Sequence, residues 1–126
     1  MREEARRLWI QALEDLETAR VLLRNSRYYA VAFYSHQAAE KALKAAHIEV
    51  KKEAAPRTYN IVELGSGLGL GDLMDDLMEL NPEYIVSRYP NAANGVPAHM
   101  YNEAIAERHL KRAERVVNKC RELIGL

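Results

Sequence analysis

The segment from Tyr28 to His47 constrains this chain more than any other, because it reads as one helix with two unlike faces. At about 100° per residue, His36, Gln37, Glu40, Lys44 and His47 fall on one polar stripe. Ser35, Ala38, Ala42 and Ala45 fall on the other side, where small side chains let a second helix backbone come close. The stripe opens with Tyr29, Phe33, His36 and Gln37, groups suited to a partly dry groove. A solvated face beside a packed one accounts for the same spacing, so the stripe alone does not decide between groove and surface.

The rest of the chain supplies partners for such a helix. Ala5, Leu8, Trp9, Ala12, Leu16, Ala19 and Leu23 recur at spacings of three and four, the mark of a first amphipathic helix. The break at Asn25-Ser26 is short, so helices one and two are expected to form an antiparallel hairpin. Helix two is expected to fade after Val50, with Pro56 closing it. A short helix is expected to start near Thr58 or Asn60, where Asn60 and Glu63 have capping-box spacing, and to end at Leu64. Gly65, Gly67, Gly69 and Gly71 then read as a flexible connector, and Asp72 as the cap of another short helix carrying Leu73, Met74, Leu77 and Leu80. Asn81-Pro82 reads as an N-cap followed by a first-turn proline. Residues 87–98 read as an irregular loop, and a long final helix is expected from about Ala98 to Leu123. No useful strand alternation or internal repeat appears. The expected architecture is all-α: an antiparallel up-and-down bundle of three long helices plus short ones, with residues 1–126 forming a single domain.

Charge and cysteine usage remove several function classes. Eighteen acidic and eighteen basic residues balance, so nucleic-acid binding needs local segregation of charge. The lone Cys120 excludes an intrachain disulfide and reads as a core thiol. The stretch Tyr28–Ala39, free of charged side chains, is too short and too polar to span a bilayer. No apolar signal segment opens the chain, and a cytoplasmic location is expected, with no membrane partner.

Sites of chemistry are few. The glycine ladder lacks the strand, lysine and spacing of a phosphate loop. His36 and Glu40 lie one turn apart, but no Glu stands three residues before any histidine, so no metal and no cofactor is expected. Arg108, Lys111 and Arg115 form a basic stripe that reads foremost as a solvated face. Arg88-Tyr89-Pro90 is a stronger candidate: a fork of donors, a ring able to stack on a base, and a stiff turn presenting both. Arg88 closing a helix end while Tyr89 packs on the bundle is the structural alternative.

Four segments together resemble one family. Ala32-Phe33-Tyr34-Ser35-His36-Gln37-Ala38-Ala39-Glu40-Lys41-Ala42-Leu43-Lys44-Ala45 looks like helix two of prokaryotic HEPN domains, and Trp9, Ala12, Asp15-Leu16 and Ala19 resemble its first helix. Thr58-Tyr59-Asn60-Ile61-Val62-Glu63-Leu64 is similar to the family's Thr-His-Asn/Asp-Leu segment, and Ser87-Arg88-Tyr89-Pro90-Asn91 to its Arg-Tyr-Pro-Asp signature. The resemblance implies a helical bundle, commonly a homodimer. It also implies a possible minimal nucleotidyltransferase partner in a toxin–antitoxin-like pair, and nucleotide or RNA as ligand.

Many such domains are metal-independent RNases carrying an Arg-x4-6-His motif. Here the histidine would have to follow Arg88 at 93, 94 or 95, where Ala93, Asn94 and Gly95 stand. Tyr59 also replaces the histidine of the Thr-His segment. Without a placed imidazole, proton transfer at a ribose hydroxyl lacks its usual agent. The reading is therefore a non-catalytic or weakly catalytic module that binds nucleotide, RNA or a nucleotidyltransferase partner, with His36, Gln37, Glu40, Lys44, Arg88 and Tyr89 as ligand-binding candidates. The alternatives are an RNase using Arg88 and His99, and a purely structural or regulatory dimeric subunit.

Overall fold

In the computed structural model, which describes residues 1–126, three long helices build the frame. They are α1 (Glu3–Arg24), α2 (Tyr28–Lys51) and the last, α7 (Glu103–Ile124). Between α2 and α7 run α3 (Ile61–Gly67), α4 (Met74–Leu80), α5 (Glu83–Val86) and α6 (Pro90–Ala93). There are no strands, and the all-α expectation holds.

Helix α2 is the axis of the bundle. Its small residues Ala32, Ala38, Ala39, Ala42, Ala45 and Ala46 are fully buried, as are Val31 and Leu43. A helix apolar on most of its circumference must be covered on most of it. Helices α1 and α7 pack along it, and α3 and α5 cover much of the remainder. Trp9, Ala12 and Leu16 from α1 meet the alanine face, while Leu110, Ala113, Val116, Val117 and Cys120 come from α7. The alanine face is thus consumed inside the chain, so a second copy could not use it. Burial pushes the Cys120 thiol up to about 12, as expected of a core thiol.

The α1–α2 hairpin turns through Ser26, held at a left-handed φ of 61°. The Asn25 side-chain amide donates to the Val21 carbonyl at 2.8 Å and closes the end of α1. Helix α2 ends at Lys52 in the same left-handed conformation.

Several boundaries differ from the sequence expectation, each for a local reason. Helix α3 runs through Gly65 to Gly67 rather than stopping at Leu64. A Cβ built at Gly65 would collide with Leu77 Cδ1, so this glycine marks a close crossing of α3 and α4 and not a loose connector. Gly69, at φ 72°, does make the turn expected of the ladder. Asp72 lies in a 3₁₀ turn over Gly71–Leu73 and makes no side-chain cap. Asn81 is helical and does not cap α5; its side-chain oxygen instead accepts the Ile61 N–H at 2.9 Å. Together with Asn60, which accepts the Glu63 N–H at 3.0 Å, it satisfies the start of α3.

The stretch expected to be irregular contains α6 and a 3₁₀ turn at Pro97–His99. The last helix begins at Glu103, five residues later than expected, because Asn102 is its N-cap and accepts the Ile105 N–H at 2.9 Å. No helix is long and apolar enough to cross a membrane.

Candidate functional site

A groove of about 390 Å³ opens along one side of α2. Gln37, Glu40 and Lys44 form its floor, while Arg57, Thr58, Tyr59 and Tyr84 form its walls. The i, i+3, i+7 spacing places the three floor residues on one face of the helix. Three of the six ligand-binding candidates therefore meet in one place.

His36 lies beneath this groove, not in it. Its side chain is fully buried, and its ring is held from both sides. Nε2 lies 3.0 Å from the Tyr59 carbonyl oxygen, and Nδ1 lies 3.3 Å from Gln37 Nε2. Gln37 Oε1 takes a hydrogen bond of 3.0 Å from the Lys41 ammonium, which also donates to Asp15 at 2.6 Å. Gln11 Nε2 completes the series on the second Asp15 oxygen at 2.9 Å.

The direction of every bond in this series is forced. An ammonium can only donate, so Gln37 presents its oxygen to Lys41 and its N–H to His36 Nδ1. The imidazole is then the Nε2–H tautomer and donates to the Tyr59 carbonyl. Burial pushes its pKa from 6.5 down to about 4; the carbonyl bond opposes this, and the nearby charges of Lys41, Arg88 and Lys44 add to the lowering. A neutral His36 is thus an anchor for the segment carrying Thr58 and Tyr59, not a proton carrier facing solvent.

The walls present stacked rings. Tyr59 and Tyr84 lie parallel, 4.0 Å between centroids and 10° between planes. Tyr84 leans on the His36 ring at 5.6 Å, while Tyr59 stays 45% exposed. Behind them the Arg88 guanidinium sits over the Tyr84 ring at 4.5 Å, over Phe33 at 4.6 Å and over Tyr89 at 4.9 Å. Arg88 Nε donates to the Tyr84 carbonyl at 2.7 Å, closing the end of α5 as the structural alternative required. Arg88 therefore backs the groove through Tyr84 rather than lining it. Tyr89 is exposed, stacked beneath that guanidinium and outside the groove walls.

Lys44 donates to Glu40 Oε2 at 3.1 Å. The other carboxylate oxygen, Oε1, is buried without a hydrogen-bond partner. It lies 3.9 Å from His36 Nδ1, whose lone pair is already taken up by Gln37. Arg57 lines the groove beside them. Among the residues that line the groove, Lys44 and Arg57 bring two positive groups against the one negative group of Glu40.

The remaining histidines sit elsewhere. His99 is exposed on its 3₁₀ turn, and no hydrogen bond joins it to Arg88. His47 is paired with Glu53 at 3.2 Å. His109 is buried against Glu83 at 3.7 Å, with Tyr101 donating to the other Glu83 oxygen. No group of three or more His, Cys, Asp or Glu side chains gathers to hold a metal ion. The basic stripe of α7 is broken, since Arg115 grips Asp76 through two bonds of 2.7 and 2.9 Å while Arg108 and Lys111 remain exposed.

Reading residues alone missed Arg57, Tyr84 and the ring face of Tyr59 as groove walls. Tyr84 had a signal: it stands four residues before Arg88, a spacing that pairs side chains on one helical face.

The HEPN domain model matches residues 5–123. The fold is similar to that of TT1696 from Thermus thermophilus, 29% identical, with a TM-score of 0.88 over 97% of this chain and 99% of that one. It is similar to ST0689, an archaeal HEPN homologue, also 29% identical, at 0.84 over 98% of this chain and all of that one. A HEPN domain protein of Thermotoga maritima, TM0613, is 27% identical and aligns at 0.73 over 94% of this chain and 98% of that one. No protein of curated function matches the sequence significantly. With the family's pattern spanning residues 5–123, nearly the whole chain, this protein belongs to the HEPN domain family.

Proposed function

We propose that this protein binds a nucleotide, free or as part of single-stranded RNA, in the groove of α2, and that it does so without catalysis. The observation that carries the reading is the pairing of Lys44 and Arg57 with the Tyr59–Tyr84 stack in one groove. Cations of this kind take phosphate, and an exposed tyrosine face takes a base. The groove volume lies in the range of small-ligand sites. The non-catalytic part rests on the histidines: two are buried and held neutral, one is paired with Glu53, and His99 stands on a separate turn.

The partners proposed with it are a second copy of the chain and a minimal nucleotidyltransferase, as the family resemblance implies. Exposed Tyr89, Val96 and Met100, close together in sequence beyond α5, support a contact surface away from the alanine face.

Fluorescence titration with labelled nucleotides and short single-stranded RNA tests the ligand. Micromolar binding that weakens at least tenfold in a Lys44→Ala, Arg57→Ala double variant is the expected result. Absence of binding by every probe, with and without a nucleotidyltransferase partner, overturns it. Sedimentation that finds only a monomer at micromolar concentration would remove the homodimer.

A further inference from the structure

The hydrogen-bond series beneath the groove begins outside it. Lys41 is not among the side chains that line the groove. Its ammonium donates to Asp15 of α1 at 2.6 Å and to Gln37 Oε1 at 3.0 Å. Asp15 is buried, and Gln11 holds its other oxygen. The cation is thus pinned at the seam of α1 and α2, between a fixed carboxylate and the groove floor.

Two neighbours compete for His36 Nδ1, and Lys41 decides between them. One is the Gln37 amide nitrogen at 3.3 Å, a donor that needs a bare ring nitrogen. The other is Glu40 Oε1, 3.9 Å away and buried without a hydrogen-bond partner, an acceptor that needs an N–H there. Nε2 already carries a hydrogen for the Tyr59 carbonyl, so a hydrogen on Nδ1 as well makes the ring a cation. Gln37 would then have to turn over and show its oxygen to the ring. That turn sets its NH2 group against the Lys41 ammonium, donor against donor. Burial opposes the same step, and the charges of Lys41, Arg88 and Lys44 add to it. The Tyr84 ring covers the imidazole without bringing a charge.

Resting on the nucleotide reading above for its ligand, we propose that Lys41 is a positioning residue of the groove. It keeps the Gln37 amide turned one way on the floor, and it leaves Glu40 with Lys44 instead of with a charged His36. The order of the floor is therefore set at the α1–α2 seam, by a side chain outside the groove lining.

The test uses the ¹⁵N-labelled full chain in four forms: wild type, Lys41→Met, Lys41→Gln and Lys41→Arg. The imidazole nitrogens of His36 are followed as pH falls, the Gln37 side-chain N–H exchange rate is measured, and each form is titrated with labelled mononucleotides. In the wild type Nδ1 stays bare down to about pH 4. In Lys41→Met the ring takes its second proton about one pH unit higher, because Gln37 can turn and Glu40 becomes a partner. Gln37 N–H exchange speeds up about tenfold, which the loss of a charge alone would not cause. Nucleotide affinity at pH 7 weakens about fivefold. Lys41→Gln keeps a polar partner that can also accept, so it permits the turn and behaves like Lys41→Met even where the latter fails to fold. Lys41→Arg can only donate, and it keeps the low titration and an affinity within about twofold.

A His36 titration and a Gln37 exchange rate unchanged in both neutral variants overturn the assignment. So does an Arg variant that behaves like the Met one, or nucleotide affinity that stays the same throughout. Where no probe binds the wild type but titration and exchange move as expected, the nucleotide reading falls and the hold of Lys41 on the floor stands.

Discussion

Two of the three buried imidazoles, His36 and His109, are buried in opposite styles. His36, under the groove, has both ring nitrogens engaged, one by the Tyr59 carbonyl and one by Gln37. His109, between α7 and α5, has Nδ1 without a partner, and its Nε2 stands 3.7 Å from a Glu83 oxygen. Burial lowers both to about 4. Equal pKa values therefore conceal unequal workmanship. The ring beneath the groove fixes a wall in place, while the ring at α7 fills space. Similar titration does not imply similar structural duty; the partners of the neutral form decide that.

The sharpest way to break this contrast is to remove each ring in turn. His36→Ala should cost about 3 kcal/mol in a denaturant titration, since a cavity and an orphaned Tyr59 carbonyl add together. Nucleotide binding should fall with it, because Thr58 and Tyr59 lose their anchor. His109→Leu should change stability by less than about 1 kcal/mol in either direction, because it replaces a half-satisfied polar ring with an apolar side chain. Equal losses in the two variants would erase the distinction.

Acid offers a second, somewhat smaller test. A histidine whose pKa falls from 6.5 unfolded to about 4 folded binds fewer protons when folded. Its stabilising part is intact above 6.5 and is lost as pH drops towards 4, at up to about 1.4 kcal/mol per pH unit for each ring. Glu83 works against this, because burial raises its pKa and the folded state holds its proton more tightly. That contribution returns as pH falls, and it sits beside His109. The groove side should therefore carry an acid sensitivity that Glu83 partly offsets at the α7 side. Urea midpoints between pH 6.5 and 4 should decline steeply in the wild type and less so in His36→Gln. A flat wild-type profile would contradict both rings' burial.

The smallest expected effect sharpens the groove side. Asn81→Ala removes the acceptor for the Ile61 N–H and should cost about 1 kcal/mol. Because Asn60, the N-cap of α3, directly follows Tyr59, nucleotide affinity should weaken with stability. Unchanged affinity would detach the start of α3 from the wall of the groove.

Much of this was legible in the residues, for reasons that also mark where legibility stops. The three long helices follow from apolar spacing, which a chain of 22 or 24 helical residues repeats many times. The shorter pieces lack that repetition. Gly65 looks like a flexible link until Leu77, twelve residues on, is found against it. Asn81 looks like the cap of its own helix, and only the fold brings it to the start of α3. The groove floor was half visible: Gln37, Glu40 and Lys44 were on the stripe, but so were His36 and His47, and nothing in a stripe tells which members α3 and α5 will cover. The walls were least visible, since Arg57, Tyr59 and Tyr84 come from short segments whose only common property is where they end up.

The hold of His36 on the Tyr59 carbonyl has one more consequence. The bond is made to main chain, and main chain is the same whatever side chain it carries. The frame of the groove is thus indifferent to the identity of residue 59, while the outer face of the wall is made of it. Position 59 behaves like an interchangeable tool clamped by its shank. Exchange of Tyr59 for another ring can retune what the groove prefers to hold, and the clamp that keeps the tool in register has no means of noticing the change.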